Sequence, residues 1–506
     1  MNQKSIGVMV PLFSLEGAHG IGDVDSLYGF IDRIKNSGIS IIQILPLNAL
    51  GTNDTSPYSS ISAFGMDPIY ISLNRLKYLT RTIDSLDSGE RVDYEAVREV
   101  KFAALRESFE GFKKLGTPLD RKRFDGFSRQ HKSWLHPFSL FHAISRNFST
   151  AFWDWDPDLQ TLAGAESWAG ENSEEVEFCC YLQWIFSEQW SDLKSFAAEH
   201  KILFMGDLPL YVSKNSADFW SNPDIFIKGV RAGVPPDLYA AEGQDWGNPI
   251  YDWKKMKKDG FLWWQARLQW LKHFFDLIRL DHVRGIFSYW AVPDGKKPNE
   301  VSRWTPGPGS ALIESLQKVQ IELIGEDLGS IPPAVEKWMQ DINVPGYKVF
   351  LFGWGEYNSS KYRFPETYPE NTLACTSTHD SESFLEFLEN LDDSRTYELA
   401  AYLGIKEGEE FSHLDLLDRV LIRILDCPSR FAIFPLQDIL AKPIRINLPG
   451  SVGEENWSKI IRLSTHDQER LDQFTQMIAS SPQLKNTLYQ RKNKPHSAQN
   501  GKAHEG

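Results

Sequence analysis

Three carboxylates each close a short apolar run that gives way to a turn: Asp281 in IRLDHVRG, Glu326 in ELIGEDLG and Asp380 in ACTSTHDSES. Runs of that length read as buried strands, which puts each acid at a strand end. In a (β/α)8 barrel the strand ends converge on one mouth, and that mouth is where such barrels do their chemistry. Two carboxylates flanking a bond, with a third nearby, can cleave a glycosidic link.

Each acid also has a plainer reading. Arg279 and Asp281 lie two apart on one strand, so their side chains share a face. A guanidinium alongside favours the charged carboxylate, as a nucleophile requires, yet a buried Arg–Asp pair can equally serve only to brace a barrel. Glu326 facing a second carboxylate in a water-poor pocket would have a raised pKa, suited to a general acid. Its plainer role is a helix N-terminal acid, which fits the next residue, Asp327, better. His379-Asp380 could bond adjacent sugar hydroxyls, or Asp380 could cap a helix starting near Ser381. Three such acids in order, at the ends of strands four, five and seven, favour the chemical reading.

The elements that must position them can be read as eight runs: Ser5–Pro11, Ile39–Pro46, Ile202–Asp207, Leu277–Asp281, Ile321–Glu326, Tyr347–Phe352, Thr372–Thr378 and Phe431–Leu436. They are near-continuously apolar, as strands buried on both faces of a parallel sheet must be. Helical periodicity over Val24–Asn36, Glu174–His200 and Phe261–Phe275 supplies crossovers between them. The fold class is therefore α/β, a (β/α)8 TIM barrel over residues 1–488 with insertions and no C-terminal β-sandwich. The insertions are read as mostly helical at about 47–174, an aromatic, Gly- and Pro-rich loop region at about 209–260, and helical at about 381–427. The polar tail 489–506 is read as disordered.

Composition narrows the partners. A formal net charge of -14 argues against binding a phosphate backbone, so no nucleic acid is expected. No run approaches the roughly 20 apolar residues of a membrane span, and the N-terminus lacks a signal-peptide pattern. The expectation is a cytoplasmic protein with no obligate protein partner. Cys179, Cys180, Cys375 and Cys427 have neither metal-ligand spacing nor a disulfide pattern and are read as free thiols.

Several blocks, taken in order, resemble one family. GVMVPLFSLEGAHGIGD, ILPLNALGTNDTSPYSSISAF, LQWIFSEQWSDLKSFAAEHKILFMGDLPLYVSKNSADFW and GVPPDLYAAEGQDWGNPIYDW are similar to motifs of the amylomaltases. These are the 4-α-glucanotransferases, or disproportionating enzymes, of glycoside hydrolase family 77 in the α-amylase clan. The resemblance implies Asp281 as nucleophile, Glu326 as acid/base and Asp380 as transition-state stabiliser. It implies Arg279 and His379 at the donor glucose, with the Tyr58 ring laid against that sugar. Gln244 and Trp246 would sit on a mobile loop over the acceptor side, and Asn447 is retained near the eighth strand as a substrate-binding residue. Asp207 reads as a brace for the floor. Where family members continue Asn-Asp-Thr after the His-Asp pair, this chain has Ser381-Glu382-Ser383.

The implied reaction is retaining double displacement on α-1,4-glucans and maltooligosaccharides, with no metal or organic cofactor called for. Two rivals use the same residues: an α-glucan hydrolase, and an inactive maltodextrin-binding barrel.

Overall fold

The computed structural model describes residues 4–87, 89–148, 150–236, 241–329, 331–355, 358–451 and 453–483. The tail expected over 489–506, and the last residues of the span read as barrel, 484–488, lie outside them. In chain order the strands are β1 (Ser5–Met9), β2 (Ile41–Gln43), β3 (Leu203–Leu208), β4 (Phe226–Val234), β5 (Gln244–Tyr251), β6 (Leu277–Leu280), β7 (Ser288–Pro293), β8 (Thr305–Pro306), β9 (Glu322–Gly325), β10 (Gly346–Val349), β11 (Thr372–Cys375) and β12 (Phe431–Pro435).

Each of the eight apolar runs overlaps one barrel strand. These pair in parallel in the order β10-β11-β12-β1-β2-β3-β6-β9. The two ends of that order meet where the Gly325 N–H donates to the Pro345 carbonyl at 2.8 Å, so the sheet closes into a (β/α)8 barrel. β6, β10, β11 and β12 are buried at every position, which is why their sequences read as unbroken apolar runs. Apart from β3, the strands are shorter than the runs. Asp281 and Glu326 follow directly on β6 and β9, and His379-Asp380 stand on the loop after β11.

Two glycines are set by close approach. A Cβ on Gly206 would lie 2.4 Å from the Phe275 ring, and one on Gly346 would lie 2.6 Å from the Asp327 carboxylate. The first lets Phe275 pack on β3. The second lets Asp327 accept the Tyr347 N–H at 2.6 Å and so tie the end of β9 to β10. Asp327 is thus a strand-to-strand brace, and the helix that follows begins only at Pro333.

The first crossover helix, Val24–Ile34, opens on a reciprocal cap between Asp23 and Ser26. Its apolar positions recur at helical spacing and are buried against the barrel. Between β2 and β3 lie the helices Tyr94–Leu115, Pro118–Gln130, Lys132–Asn147 and Leu162–Glu171. The fully buried Lys101, from the first of these, donates to Asp23 at 2.7 Å and ties that insertion to the barrel. Between β11 and β12 lie Phe384–Asn390, Asp393–Tyr402 and His413–Leu425.

One expectation is corrected. Residues 209–260 are not loop-like throughout. They contain β4 and β5, which join β7 and β8 in an antiparallel sheet ordered β5-β4-β7-β8. The β4–β5 pairing carries register shifts, and both strands include Gly or Pro and are partly exposed. Bulges and exposure break the alternation by which a strand is recognised.

Among the described residues no strand follows β12, no helix is long and apolar enough to cross a membrane, and no cluster of His, Cys, Asp or Glu is arranged to hold a metal. Cys179, Cys180, Cys375 and Cys427 are all free thiols.

Candidate active site

The floor of the mouth is built by β3, β6 and β10. Asp207, next to last in β3, is 2% exposed, and Arg279 of β6 is 5% exposed. Arg279 Nη1 lies 2.8 Å from both Asp207 oxygens and 2.8 Å from Asp281 Oδ1, so one guanidinium balances two carboxylates. It also stands over the Tyr347 ring at 5.9 Å, and Tyr347 takes a hydrogen bond from Gln43 of β2. Desolvation alone would push the Arg279 pKa down, but the carboxylates reverse the sign and hold it well above the usual range.

Leu280 of β6 pairs with Gly325 of β9. The ladder continues one step further, with the Glu326 N–H on the Leu280 carbonyl at 2.9 Å. Asp281 and Glu326 are therefore side by side on neighbouring strand ends. Neighbouring strands are about 4.8 Å apart. The Glu326 carboxylate accepts the His282 N–H at 2.9 Å through one oxygen and the Leu328 N–H at 2.8 Å through the other. Burial, with Asp281 adding to it, raises its pKa to about 7, while Arg279 and the two backbone donors pull the other way.

The loop after β11 brings the third acid. Thr376 and Ser377 donate their hydroxyls to the buried Asp438 at 2.5 and 2.6 Å, and the Phe384 N–H donates to it at 2.7 Å. Burial raises the Asp438 pKa to about 6. This carboxylate, from the helix after β12, clamps both ends of the segment that carries His379-Asp380. The helix cap is Ser383, which accepts the Glu386 N–H, so Asp380 does not serve as the cap. Its carboxylate instead accepts Asn447 Nδ2 at 2.7 Å and lies 3.3 Å from His379 Nε2. Its place in the mouth opposes the charge, but the nearby His379, the Asn447 hydrogen bond and Arg279 prevail and lower the pKa to about 2. The His379 pKa is raised: Asp380 outweighs burial.

Tyr58 closes this side. Its hydroxyl donates to Asp207 Oδ2 at 2.7 Å and lies 3.0 Å from His379 Nε2. Because its single proton goes to Asp207, the histidine must be the donor in the second contact. The Tyr58 ring lies nearly parallel to His379, with centroids 5.5 Å apart and planes at 17°, and Trp457 packs against both rings. Trp457 holds a φ of 59°, and its carbonyl accepts the Tyr94 hydroxyl at 2.7 Å from the first insertion helix.

Gln244 and Trp246 are placed differently from expectation. Both are on β5, not on a loop. They are two apart on that strand and share a face, and the Trp246 indole N–H donates to Gln244 Oε1 at 3.1 Å. Trp246 meets the acids through His282, whose ring stands edge-on to it at 5.0 Å and 83°, and it also contacts Tyr211 at 6.2 Å. Thus Asp281, Glu326, Asp380, Tyr58, Arg279, His379 and Asn447 form one connected group with Asp207. Gln244 and Trp246 approach that group across His282. Asn447 reaches the mouth by holding Asp380. Sequence reasoning passed over Asp438, Tyr347 and His282. For His282 the available signal was its position, directly after one acid and opposite another.

The family model for 4-alpha-glucanotransferase matches residues 10–467. The chain is 34% identical to the 4-alpha-glucanotransferase of Synechocystis, with 90% of this chain and 94% of that one covered. It is 32% identical to that of Thermus thermophilus, with 90% and 94% covered. The amylomaltase of Streptococcus agalactiae, solved in complex with acarbose, superposes with a TM-score of 0.85 at 29% identity, covering 95% of this chain and all of that one. The amylomaltase of Corynebacterium glutamicum, at 20% identity and a TM-score of 0.75 over 94% of this chain and 75% of its own, shares the fold.

Proposed function

The chain belongs to the 4-alpha-glucanotransferase family, and we propose that it performs the family's reaction with Asp281 as nucleophile, Glu326 as acid/base and Asp380 as the group that tightens on the sugar in the transition state. The reaction is transfer of an α-1,4-glucan segment from a donor maltodextrin to the 4-hydroxyl of an acceptor glucose or maltooligosaccharide. The observation that carries the assignment of roles is the pairing of Leu280 with Gly325, which sets Asp281 and Glu326 on adjacent strand ends.

Retention through a covalent intermediate requires two carboxyl groups about 5–5.5 Å apart, a spacing that neighbouring strands supply. Glu326, with a pKa of about 7, populates both protonation states near neutrality. It first gives its proton to the leaving oxygen while Asp281 attacks the anomeric carbon. It then takes the proton of the incoming hydroxyl as that oxygen displaces Asp281. Arg279, bonded to Asp281, balances charge on the nucleophile. His379 and the charged Asp380 face the sugar from the β11 loop, where hydrogen bonds to ring hydroxyls strengthen as the ring flattens. Tyr58, anchored by its hydroxyl, offers a ring to the apolar face of the donor pyranose.

Transfer in place of hydrolysis requires that an acceptor be seated while water is kept out. Trp246 and Tyr211, packed together beside His282, are the rings suited to that task. Incubation of the purified protein with maltotriose tests the reading. Transfer yields glucose plus oligosaccharides longer than the substrate. Products that are only shorter would make the protein a hydrolase, and no change at all would make it a binder.

A further inference from the structure

We propose that His282 is a positioning residue that links the acceptor-side strand β5 to the proton-transferring Glu326, an inference that rests on the acid/base reading of Glu326 above. Three observations meet at this residue. Its φ of 47° lies in the left-handed region, which a non-glycine residue holds only when its surroundings support it. Its backbone N–H donates to Glu326 Oε2 at 2.9 Å. Its imidazole is braced edge-on by Trp246 of β5, at 5.0 Å and 83°. The turn that delivers a hydrogen bond to the acid/base therefore leans on a ring from a different sheet.

The chemistry of that bond gives it a direction. A hydrogen bond given to a carboxylate favours the charged form. Glu326 must be charged in the second half of the reaction, when it takes the proton of the incoming hydroxyl. The ionisable groups that face it are Arg279, Asp281 and His282 itself. Arg279 and Asp281 act in opposite senses on its pKa. Burial lowers the His282 pKa to about 4, with Asp281 opposing and Arg284 reinforcing, so the ring is neutral at working pH and acts by contact. A sugar seated against Trp246 presses that ring onto His282 and keeps the N–H on Glu326. When β5 is displaced, the turn can relax and the donor leaves. Acceptor occupancy is thereby relayed to the group that must become a base.

The test is the pH profile of kcat/KM on maltotriose, which reports the ionisations of the free enzyme, with circular dichroism to check folding. His282→Val puts a β-branched residue where φ is positive, which pulls the donor away. Its alkaline limb should move up by about one pH unit, the size expected for losing a hydrogen bond to a charged group, and transfer at neutral pH should slow. His282→Asn tolerates the left-handed backbone but gives Trp246 no imidazole to brace, so its limb should move up by less than valine's while its transfer-to-hydrolysis ratio falls. Trp246→Ala should move the limb in the same direction as valine, by less. An unmoved limb in a folded His282→Val protein overturns the proposal. If that variant does not fold, an unmoved limb in Trp246→Ala overturns it instead. Glu326→Gln separates the two readings. Retained transfer there defeats the acid/base role itself, whereas lost transfer combined with unmoved limbs defeats only the role of His282.

Discussion

From Tyr58 round to Asn447, one side of the mouth is a continuous run of contacts between polar and charged groups: hydrogen bonds join Tyr58 to Asp207, Asp207 to Arg279, Arg279 to Asp281, His379 to Tyr58 and Asn447 to Asp380, and His379 Nε2 lies 3.3 Å from Asp380. From Gln244 to Tyr211, the other side meets the site by rings, Trp246 on His282 and Trp246 on Tyr211, with hydrogen bonds from Trp246 to Gln244 and from Asn248 to the Val212 carbonyl holding β5 in place. The contrast matches the roles proposed for the two sides in a transfer reaction. The donor half stays covalently attached between the two displacements, so the groups around it gain from being fixed in place. The other half must release one sugar and admit another. Ring faces accept a pyranose without demanding one hydroxyl pattern, and they can slide as the occupant changes.

The comparison breaks first if the charged side proves dispensable. Asp281→Asn should lower transfer by roughly 10⁴-fold or more, as the loss of a nucleophile does in other enzymes, while the protein stays folded and still binds maltodextrin. Isothermal calorimetry alongside the product assay checks both halves, and substantial residual transfer would remove the nucleophile role. Next in size is Asn447→Ala. It strips one hydrogen bond from Asp380, of the order of 1.5 kcal/mol for a bond to a charged group, and should lower kcat about tenfold. It should also move Asp380 upward from about 2, so the acid limb of the rate profile shifts to higher pH. A variant with normal kcat would mean that Asp380 does not depend on its held position.

How far this arrangement could be read in advance depends on what each residue's role rests upon. The eight barrel strands were legible because burial on both faces leaves an unbroken apolar signature, as in IRL before Asp281 and TLAC before the β11 loop. The three acids were legible because each closes such a run. The antiparallel sheet was not, since β4 and β5 mix buried, half-buried and exposed positions with no period of two, contain Gly229, Gly233, Gly247 and Pro249, and shift register. Asp438 was invisible as a clamp because its partners, Thr376 and Ser377, lie some 60 residues earlier and meet it only once β11 and β12 pair. His282 carried its signal in its neighbours rather than in itself. A histidine in a turn says nothing until the strand bearing Trp246 is laid beside it.

Trp246→Ala addresses the ring-built side. It should reduce the ratio of transfer to hydrolysis severalfold, as expected for loss of one aromatic contact worth about 1 kcal/mol, and should reduce total bond cleavage less. Measuring reducing ends and chain-length distribution together gives both quantities. An unchanged ratio would mean that water is excluded by some other part of the mouth, and the division between a fixed side and an exchanging side would lose its basis.

The smallest effect concerns stability, where the two acids that differ most in environment should respond to pH in opposite senses. Asp380 has a folded pKa lowered from 3.8 to about 2, so its contribution is present above pH 3.8 and is lost as pH falls through 2. Glu326 has a folded pKa raised from 4.5 to about 7, so its contribution is present below pH 4.5 and is lost as pH rises through 7. Above that point the fold retains a charge in a place where burial disfavours it. Glu326→Gln removes the charge without changing the shape. Its amide keeps only one acceptor for the His282 and Leu328 N–H groups, a cost shared by both pH values, so its Tm relative to the natural protein should be higher at pH 8 than at pH 5, by on the order of 1 kcal/mol or one to two degrees. Thermal melts at the two pH values give the result directly. Equal Tm differences at both would mean that Glu326 is not held away from its ordinary pKa, and a group that ionises normally could not alternate between acid and base near neutrality.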